Sequence, residues 1–570
     1  MINQTNKKVY LFYFVLVMGA CISFVFTNIS YDAEYQLAMA YRMIKGDEMV
    51  TQMWEPHQTS AFLCAILMKI YLMVTGTTTG IVLYTQVAGL LIRTAISIWL
   101  YKTIKETSGE TPAIIAGVIY LLISPKELLT PEFGNMQLWF GTLMFLTLLK
   151  YLKCKKIVYL IWSAVCLCLG VFSYPSFIIA YIAVWVILLR YGDEVKKDIL
   201  IFTGICVIIG GAFVLYLLLN VEIETILKCL QSALAVEPTH TVNMFQKVWA
   251  HIENVAKVLG MLSGTALIGF FVEFIYSKIR HKKSGEKKGI SWNRGILISW
   301  YILMFFLLLN ILSVENRGGY GLPFLAMIGL GFRKRNLLTV DEKRIYDSAL
   351  WVSFMSLLAT LILSDNAFLQ AITYMLIAIC VSTIPLYHWF VELRVETVLR
   401  KGYCLGVHIF LGLIILRCIY IHIPIYGRGQ ICSILDDLAL IRSGPAIGII
   451  TDEAGAARQR DSMQEWKEYI QAGDTIWILG EPVDTLGYLY EDVEVGAPTV
   501  MSTPTYNSEL LYYWELNPDK YPDVVILSAS FGELAWELSM NEWLMRWLEE
   551  EYRAETVIDG NYWRYYFRNR

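Results

Sequence analysis

Charge is scarce in this chain. Only 17% of its 570 residues are Asp, Glu, Lys or Arg, against 56% hydrophobic, and the mean hydropathy is +0.50. An ordinary soluble domain carries about a quarter charged residues, so the shortage excludes a single water-exposed fold and marks a polytopic membrane protein. A basic excess is lacking too. The net charge is −3, which leaves no footprint for a nucleic-acid partner. The 11 cysteines include no CxxC pair, lie mostly inside apolar runs and leave only Cys432 in the last part of the chain. That scatter supports neither a disulfide framework nor a metal site. Histidines at i, i+4 are also missing, since His57, His240 and His251 stand apart.

What is present is a series of apolar runs. The first, about Val9 to Asn28, follows Lys7 and Lys8 as a secretory signal would, but it is too long for a signal and no A-x-A site follows. It reads as an uncleaved membrane helix. With runs at roughly 80–101, 111–124, 136–149, 157–171, 176–189, 199–219, 256–276, 295–312, 321–332, 348–363, 367–386 and 403–420, the expectation is about thirteen spans of about 20 residues or fewer. Ser60–Val74 is apolar but short, and reads as a re-entrant or interfacial helix.

The gaps between runs carry a charge bias. With a cytoplasmic N terminus, Lys102/Lys105, Lys150/Lys153/Lys155/Lys156, Arg190/Lys196/Lys197, the cluster Lys278 to Arg294, Arg333/Lys334/Arg335/Lys343/Arg344 and Arg394/Arg400/Lys401 all fall on one side, as the positive-inside rule requires. The loop at Asp32, the gap 124–135 and the C-terminal tail then face outward. After Ile423-Pro424 the composition becomes that of a soluble domain. Short apolar strands at Ala446–Ile450, Thr475–Leu479 and Val524–Leu527 alternate with amphipathic stretches at Asp461–Gln471 and Asn541–Tyr552. The expected organisation is a mainly α membrane bundle over residues 1–424 with an outer loop at 29–79, and an extracytoplasmic α/β domain over 425–570. The latter contains Asp452-Glu453 but no Gly-rich phosphate loop, zinc cluster or nucleophile elbow, so no chemistry is assigned to it.

Directly after the first run comes Tyr31-Asp32-Ala33-Glu34-Tyr35, followed by a helical pattern to Gly46-Asp47 and then Trp54-Glu55-Pro56-His57-Gln58. Leu37, Ala40, Tyr41 and Ile44 recur at helical spacing, so a helix from near Ala33 is expected on the membrane surface. Two readings of its carboxylates stay open. In one, Asp32 is an N-cap and Glu34 complements the helix dipole. In the other, Asp32 is a general base for an incoming hydroxyl, and Glu34 helps bind a divalent metal or orient the acceptor.

Asp32-Ala33-Glu34-Tyr35, Gly46-Asp47 and Glu55-Pro56 together resemble the first outer loop of the GT-C superfamily of membrane glycosyltransferases, in its protein O-mannosyltransferase and aminoarabinose-transferase branch. Here Ala33 splits the family's acidic pair, and Glu55-Pro56-His57 stands where Lys-Pro-Pro is expected. Leu91 to Ser97, around Arg93, is similar to the family's Arg-containing second helix, and Asn316-Arg317-Gly318-Gly319-Tyr320-Gly321-Leu322-Pro323 to its Arg-x-x-Tyr-x-Leu-Pro element. Phe172 to Ser176 stands where the family often carries Thr-Lys, and the lysine is missing.

The resemblance implies a multi-pass plasma-membrane enzyme of bacterial type, moving a sugar from a polyprenyl-phosphate donor to an acceptor glycan, lipid or protein with inversion. Asp32 and Glu34 are the expected catalytic residues, with Mg or Mn as a possible cofactor held by the same pair. Arg317 would hold the donor phosphate, joined by Tyr320, Glu55, His57, Arg93 and Glu132. Each of these has a plainer reading. Arg317 would be a snorkelling base, Arg93 a structurally paired charge and Glu132 a solvated loop carboxylate beside Asn135 and Gln137. Trp54, Tyr174, Tyr320 and Tyr512-Tyr513-Trp514 would stack on sugar rings or anchor the interface. Competing classes are a lipid-linked sugar transporter or flippase, a polysaccharide polymerase or ligase, and an anchor for the outer domain.

Overall fold

The computed structural model describes residues 2–27, 29, 31–125, 129–235, 244–284, 290–312, 320–363, 368–393, 397–419, 423–424, 431–432, 438–480, 485–501, 507–528 and 542–568. Its first part is helical: α1 (Ile2–Thr27), α2 (Tyr31–Lys45), α3 (Ala61–Thr75), α4 (Ile81–Ser108), α5 (Glu110–Leu122), α6 (Phe133–Cys154), α7 (Ile157–Ser173), α8 (Ala180–Tyr191), α9 (Val195–Asn220), α10 (Ile223–Ala235), α11 (Met244–Ser284), α12 (Trp292–Leu312), α13 (Gly321–Arg333), α14 (Val340–Leu363), a kinked run of α15 (Phe368–Ala371), α16 (Leu376–Val381) and α17 (Thr383–Glu392), and α18 (Thr397–Ile419). Among the described residues, seven helices are long and apolar enough to cross a membrane, or up to nine if each of two bent pairs counts as one span, and four apolar helices are shorter. Apolar side chains that stay exposed, such as Leu200, Val207 and Ile208 on α9 and Leu267 and Phe271 on α11, are suited to lipid rather than water.

The basic gaps of the sequence meet at one end of this bundle. Lys153 at the end of α6 pairs with Glu106 of α4 at 2.8 Å, Lys155 with Asp193 at 2.8 Å, and Arg190 and Arg335 both reach Asp347 of α14. The opposite end carries the soluble domain, where the Gly80 N–H donates to the Gly444 carbonyl at 3.1 Å. These two ends decide the path of α3. With the preceding turn it forms an 18-residue apolar segment, Gln58–Thr75, yet Thr59 donates to the Phe172 carbonyl at the end of α7 away from the basic gaps, and the turn after α3 meets the soluble domain. A helix that starts and finishes at one end of the bundle lies along that face and does not cross.

The second part builds two small antiparallel pairs, β1 (Ile423–Pro424) with β2 (Ile431–Cys432) and β3 (Leu438–Leu440) with β4 (Ile450–Asp452), then α19 (Glu453–Tyr469) and a five-stranded sheet. The sheet order is β6-β5-β7-β9-β8, from β5 (Thr475–Leu479), β6 (Glu494–Val495), β7 (Val524–Ser528), β8 (Thr556–Asp559) and β9 (Trp563–Phe567), with α20 (Asn507–Leu516) inserted before β7. β5 and β7 are parallel and fully buried, which is why they read as unbroken apolar runs. Ala446–Ile450, expected as a strand, is a turn except for Ile450. Gly444 and Gly448, at φ of 73° and 89°, reverse the chain there. The Asp461–Gln471 helix begins earlier, at Glu453, because Asp452 caps it by accepting from the Gly455 N–H at 2.8 Å. Asn541 lies outside the described residues.

Candidate active site

The site is built where α2, the loop after it and the start of α6 meet under the soluble domain. α2 starts at Tyr31, so Asp32 lies within the first helical turn and is not the N-cap of the plainer of the two readings. Nor does this helix rest on the membrane surface with one face in water. Residues Ala33 to Arg42 are all buried, because α3 covers one side and the turn Thr485–Leu489 of the soluble domain covers the other. Asp32 itself stays half-buried.

The loop after α2 is held by two buried cations, Arg42 and Lys520. Arg42 pairs with Asp47 through a short contact, approaches Glu55 at 3.4 Å, and donates to the Pro498 carbonyl at 3.2 Å and the Tyr513 hydroxyl at 3.0 Å. Burial would lower the Arg42 pKa, but Tyr513, Asp47 and Glu55 together outweigh it and keep the guanidinium charged. Glu55, expected to meet substrate, is sealed away: Thr499 Oγ1 donates to it at 2.5 Å and the Val500 N–H at 2.8 Å. Burial raises its carboxyl above the usual range, opposed by the more distant Arg42. The two partners thus pull in opposite senses, and Arg42 is the firmer charge because Asp47 stands nearer to it. Lys520 closes the same seam, with Asp47 at 2.6 Å and Glu494 at 3.0 Å.

Glu132 is fully buried and caps α6, taking the Gly134 N–H at 2.8 Å and the Asn135 N–H at 2.5 Å. It is therefore not the solvated loop carboxylate of the plainer reading. Tyr374, in the break between α15 and α16, completes the group, within electrostatic reach of both Glu132 and Asp32. A methyl group added at Gly134 would stand 2.4 Å from the Tyr374 hydroxyl and 3.1 Å from a Glu132 oxygen, so only glycine lets that hydroxyl approach the cap. The Tyr374 phenol thus adjoins the Glu132 cap, and the charge of Asp32, 100 positions earlier in the chain, also acts on it.

Beside them runs an aromatic wall. His57 stacks on Phe133 at 4.2 Å and on Tyr174 at 5.2 Å, and Tyr35 meets Phe133 edge-on at 6.4 Å. Tyr174 follows directly on α7, at the place where the family's lysine is missing. Tyr374 carries no signal as a site residue in the sequence because it sits in an apolar run, and nothing in the gap 124–135 singles out Phe133, which only the fold brings to His57 and Tyr174.

The other expected residues lie elsewhere or beyond description. Arg93 is fully buried and serves the end of α5, donating to the Tyr120 carbonyl at 2.6 and 2.9 Å and the Leu121 carbonyl at 3.0 Å. Those carbonyls have no helical donor, so its place is structural. Tyr320 is buried at the start of α13, near Phe324. Arg317 lies outside the described residues, as do Lys126 and Glu127. Tyr513 and Trp514 belong to the seam and core of the soluble domain, where Trp514 stacks on Trp547 at 5.0 Å. For the expected divalent ion, no three His, Cys, Asp or Glu side chains among the described residues stand close enough to hold a metal.

No family model matches the sequence, and no curated protein matches it. Among solved structures the chain is similar to the crystal structure of ArnT from Cupriavidus metallidurans bound to undecaprenyl phosphate, at 11% identity over 99% of this chain and 98% of that one, with a TM-score of 0.46.

Proposed function

We propose that this protein is a membrane glycosyltransferase that moves a sugar from a polyprenyl-phosphate donor to an acceptor hydroxyl at the end of the bundle that carries the soluble domain. The observation that carries the reading is the buried Glu132 cap with Tyr374 against it, beside the wall of His57, Phe133 and Tyr174, with Asp32 half-buried at the start of α2 and its charge acting on the same phenol. The motif resemblance at Asp32 to Asp47 supports it. By the positive-inside rule the opposite, basic end is cytoplasmic, which puts the site on the outer face.

Asp32, half-buried at the start of α2, abstracts the acceptor proton. The freed oxygen attacks the anomeric carbon from the face opposite the lipid phosphate and inverts it. Glu132, fixed by two backbone donors, holds Tyr374 in place. Aromatic rings suit the apolar face of a sugar. The leaving group is a phosphate monoester, which needs positive charge more than a strong acid, and Arg317 is assigned to it. Mg or Mn would add to that charge if bound. The acceptor is a glycan, lipid or protein hydroxyl.

Transport is the less favoured reading because the mid-bundle cation Arg93 is committed to the Tyr120 and Leu121 backbone carbonyls. The test is reconstitution of the purified chain with a labelled polyprenyl-phosphate sugar and a panel of hydroxyl acceptors. Release of polyprenyl phosphate with formation of an inverted glycoside is expected. Movement of intact donor across the bilayer, without cleavage, would show a transporter instead.

A further inference from the structure

We infer that the basic end of the bundle holds a second site, for a phosphate group on an amphipathic molecule, in a cavity of about 380 Å³ between α4, α6 and the start of α14. Four cations line it: Lys102 from α4, Lys150 and Lys153 from α6, and Arg344 from α14. Only two carboxylates answer them. Glu106 pairs with Lys153 at 2.8 Å, and Asp341 reaches Arg344 only at 3.6 Å. Lys102 and Lys150 form no ion pair among the described residues, so the cavity keeps an excess of two positive charges. The Arg344 Nε is buried and has no hydrogen-bond partner among the described residues.

Like charges held around one cavity repel, and a buried guanidinium N–H seeks an acceptor. A phosphate supplies both the charge and the oxygens, and Arg binds it through paired N–H donors. The rest of the lining is apolar, from Leu146, Leu149, Trp99 and Ile345. A simple inorganic ion would leave that half unfilled, whereas a headgroup with the first carbons of a chain fits both halves. No residue of this cavity belongs to the outer site, so the inference is independent of the reaction proposed above.

Delipidated full-length protein in a zwitterionic detergent is titrated with phosphatidylglycerol, phosphatidylcholine and inorganic phosphate. Bound lipid is counted by native mass spectrometry and phosphate binding is read by thermal shift. The expected result is saturable binding of an anionic probe, at least tenfold weaker in K102Q/K150Q and unchanged in K196Q/K401Q, which removes two exposed charges of the same end outside the cavity. The single variants K102Q and K150Q, each weaker than the wild type, serve if the double variant is not monodisperse. Binding of phosphatidylglycerol without inorganic phosphate supports the inference and assigns the site to a lipid headgroup, whereas binding of inorganic phosphate alone overturns the amphipathic occupant. Equal retention of phosphatidylcholine, no binding of either anionic probe, or wild-type binding by the lysine variants overturns the inference.

Discussion

Arg42 is the residue on which the outer loop depends. It is buried with Asp47, Glu55 and Tyr513 around it, so replacing it by methionine leaves Glu55 without a buried cation and Asp47 with Lys520 alone. Removing one partner of a buried ion pair costs about 3–5 kcal/mol, and Arg42→Met is expected to lower the thermal midpoint and expose the loop at 46–57 to protease. An unchanged midpoint would mean that the seam is held elsewhere. His57 makes a different contribution, through its ring. His57→Ala should lose the stacking on Phe133 and Tyr174, worth about 0.5–1.5 kcal/mol, and weaken donor binding, while His57→Phe keeps it. Equal loss in both variants would point to a role for the imidazole nitrogens. At this scale the sequence exposed Asp32 and His57 because polar residues beside an apolar run stand out. The burial of Glu132 is not legible, since Glu is an unusual N-cap and nothing in Pro131-Glu132-Phe133 announces it. Tyr374 was invisible in an apolar run.

Arg93 and the end of α5 belong to the scale of elements. If the guanidinium serves only the Tyr120 and Leu121 carbonyls, Arg93→Met should destabilise the bundle by about 1–3 kcal/mol, the cost of buried acceptors left without donors, and leave the affinity for donor unchanged. A variant of normal stability that fails to bind donor would place Arg93 in the site after all. Helices were legible because their apolar runs are long and bounded by charge. The covering of α2 was not, since Leu37, Ala40, Tyr41 and Ile44 describe one apolar face and the second face is buried by residues more than 400 positions away. The hairpin of β8 and β9 escaped notice for a similar reason. Trp563–Phe567 gains its place by pairing with β7, a contact across the sheet that no local pattern shows.

For the whole molecule, the charge bias and the fold agree on two ends, one basic and one covered by the soluble domain. A membrane-impermeant thiol reagent applied to intact cells should label Glu468→Cys above the wild-type background and label Lys196→Cys only after permeabilisation. The reverse pattern would invert the orientation and remove the outer site. Within this frame, the central claim is that Asp32 acts as the base. The most direct measurement is transfer from a polyprenyl-phosphate sugar by purified Asp32→Asn, alongside donor affinity and thermal midpoint. A general base contributes about 10²- to 10⁴-fold. The expected result is a loss of that size in turnover with donor affinity and stability preserved, and transfer at the wild-type rate would contradict the claim.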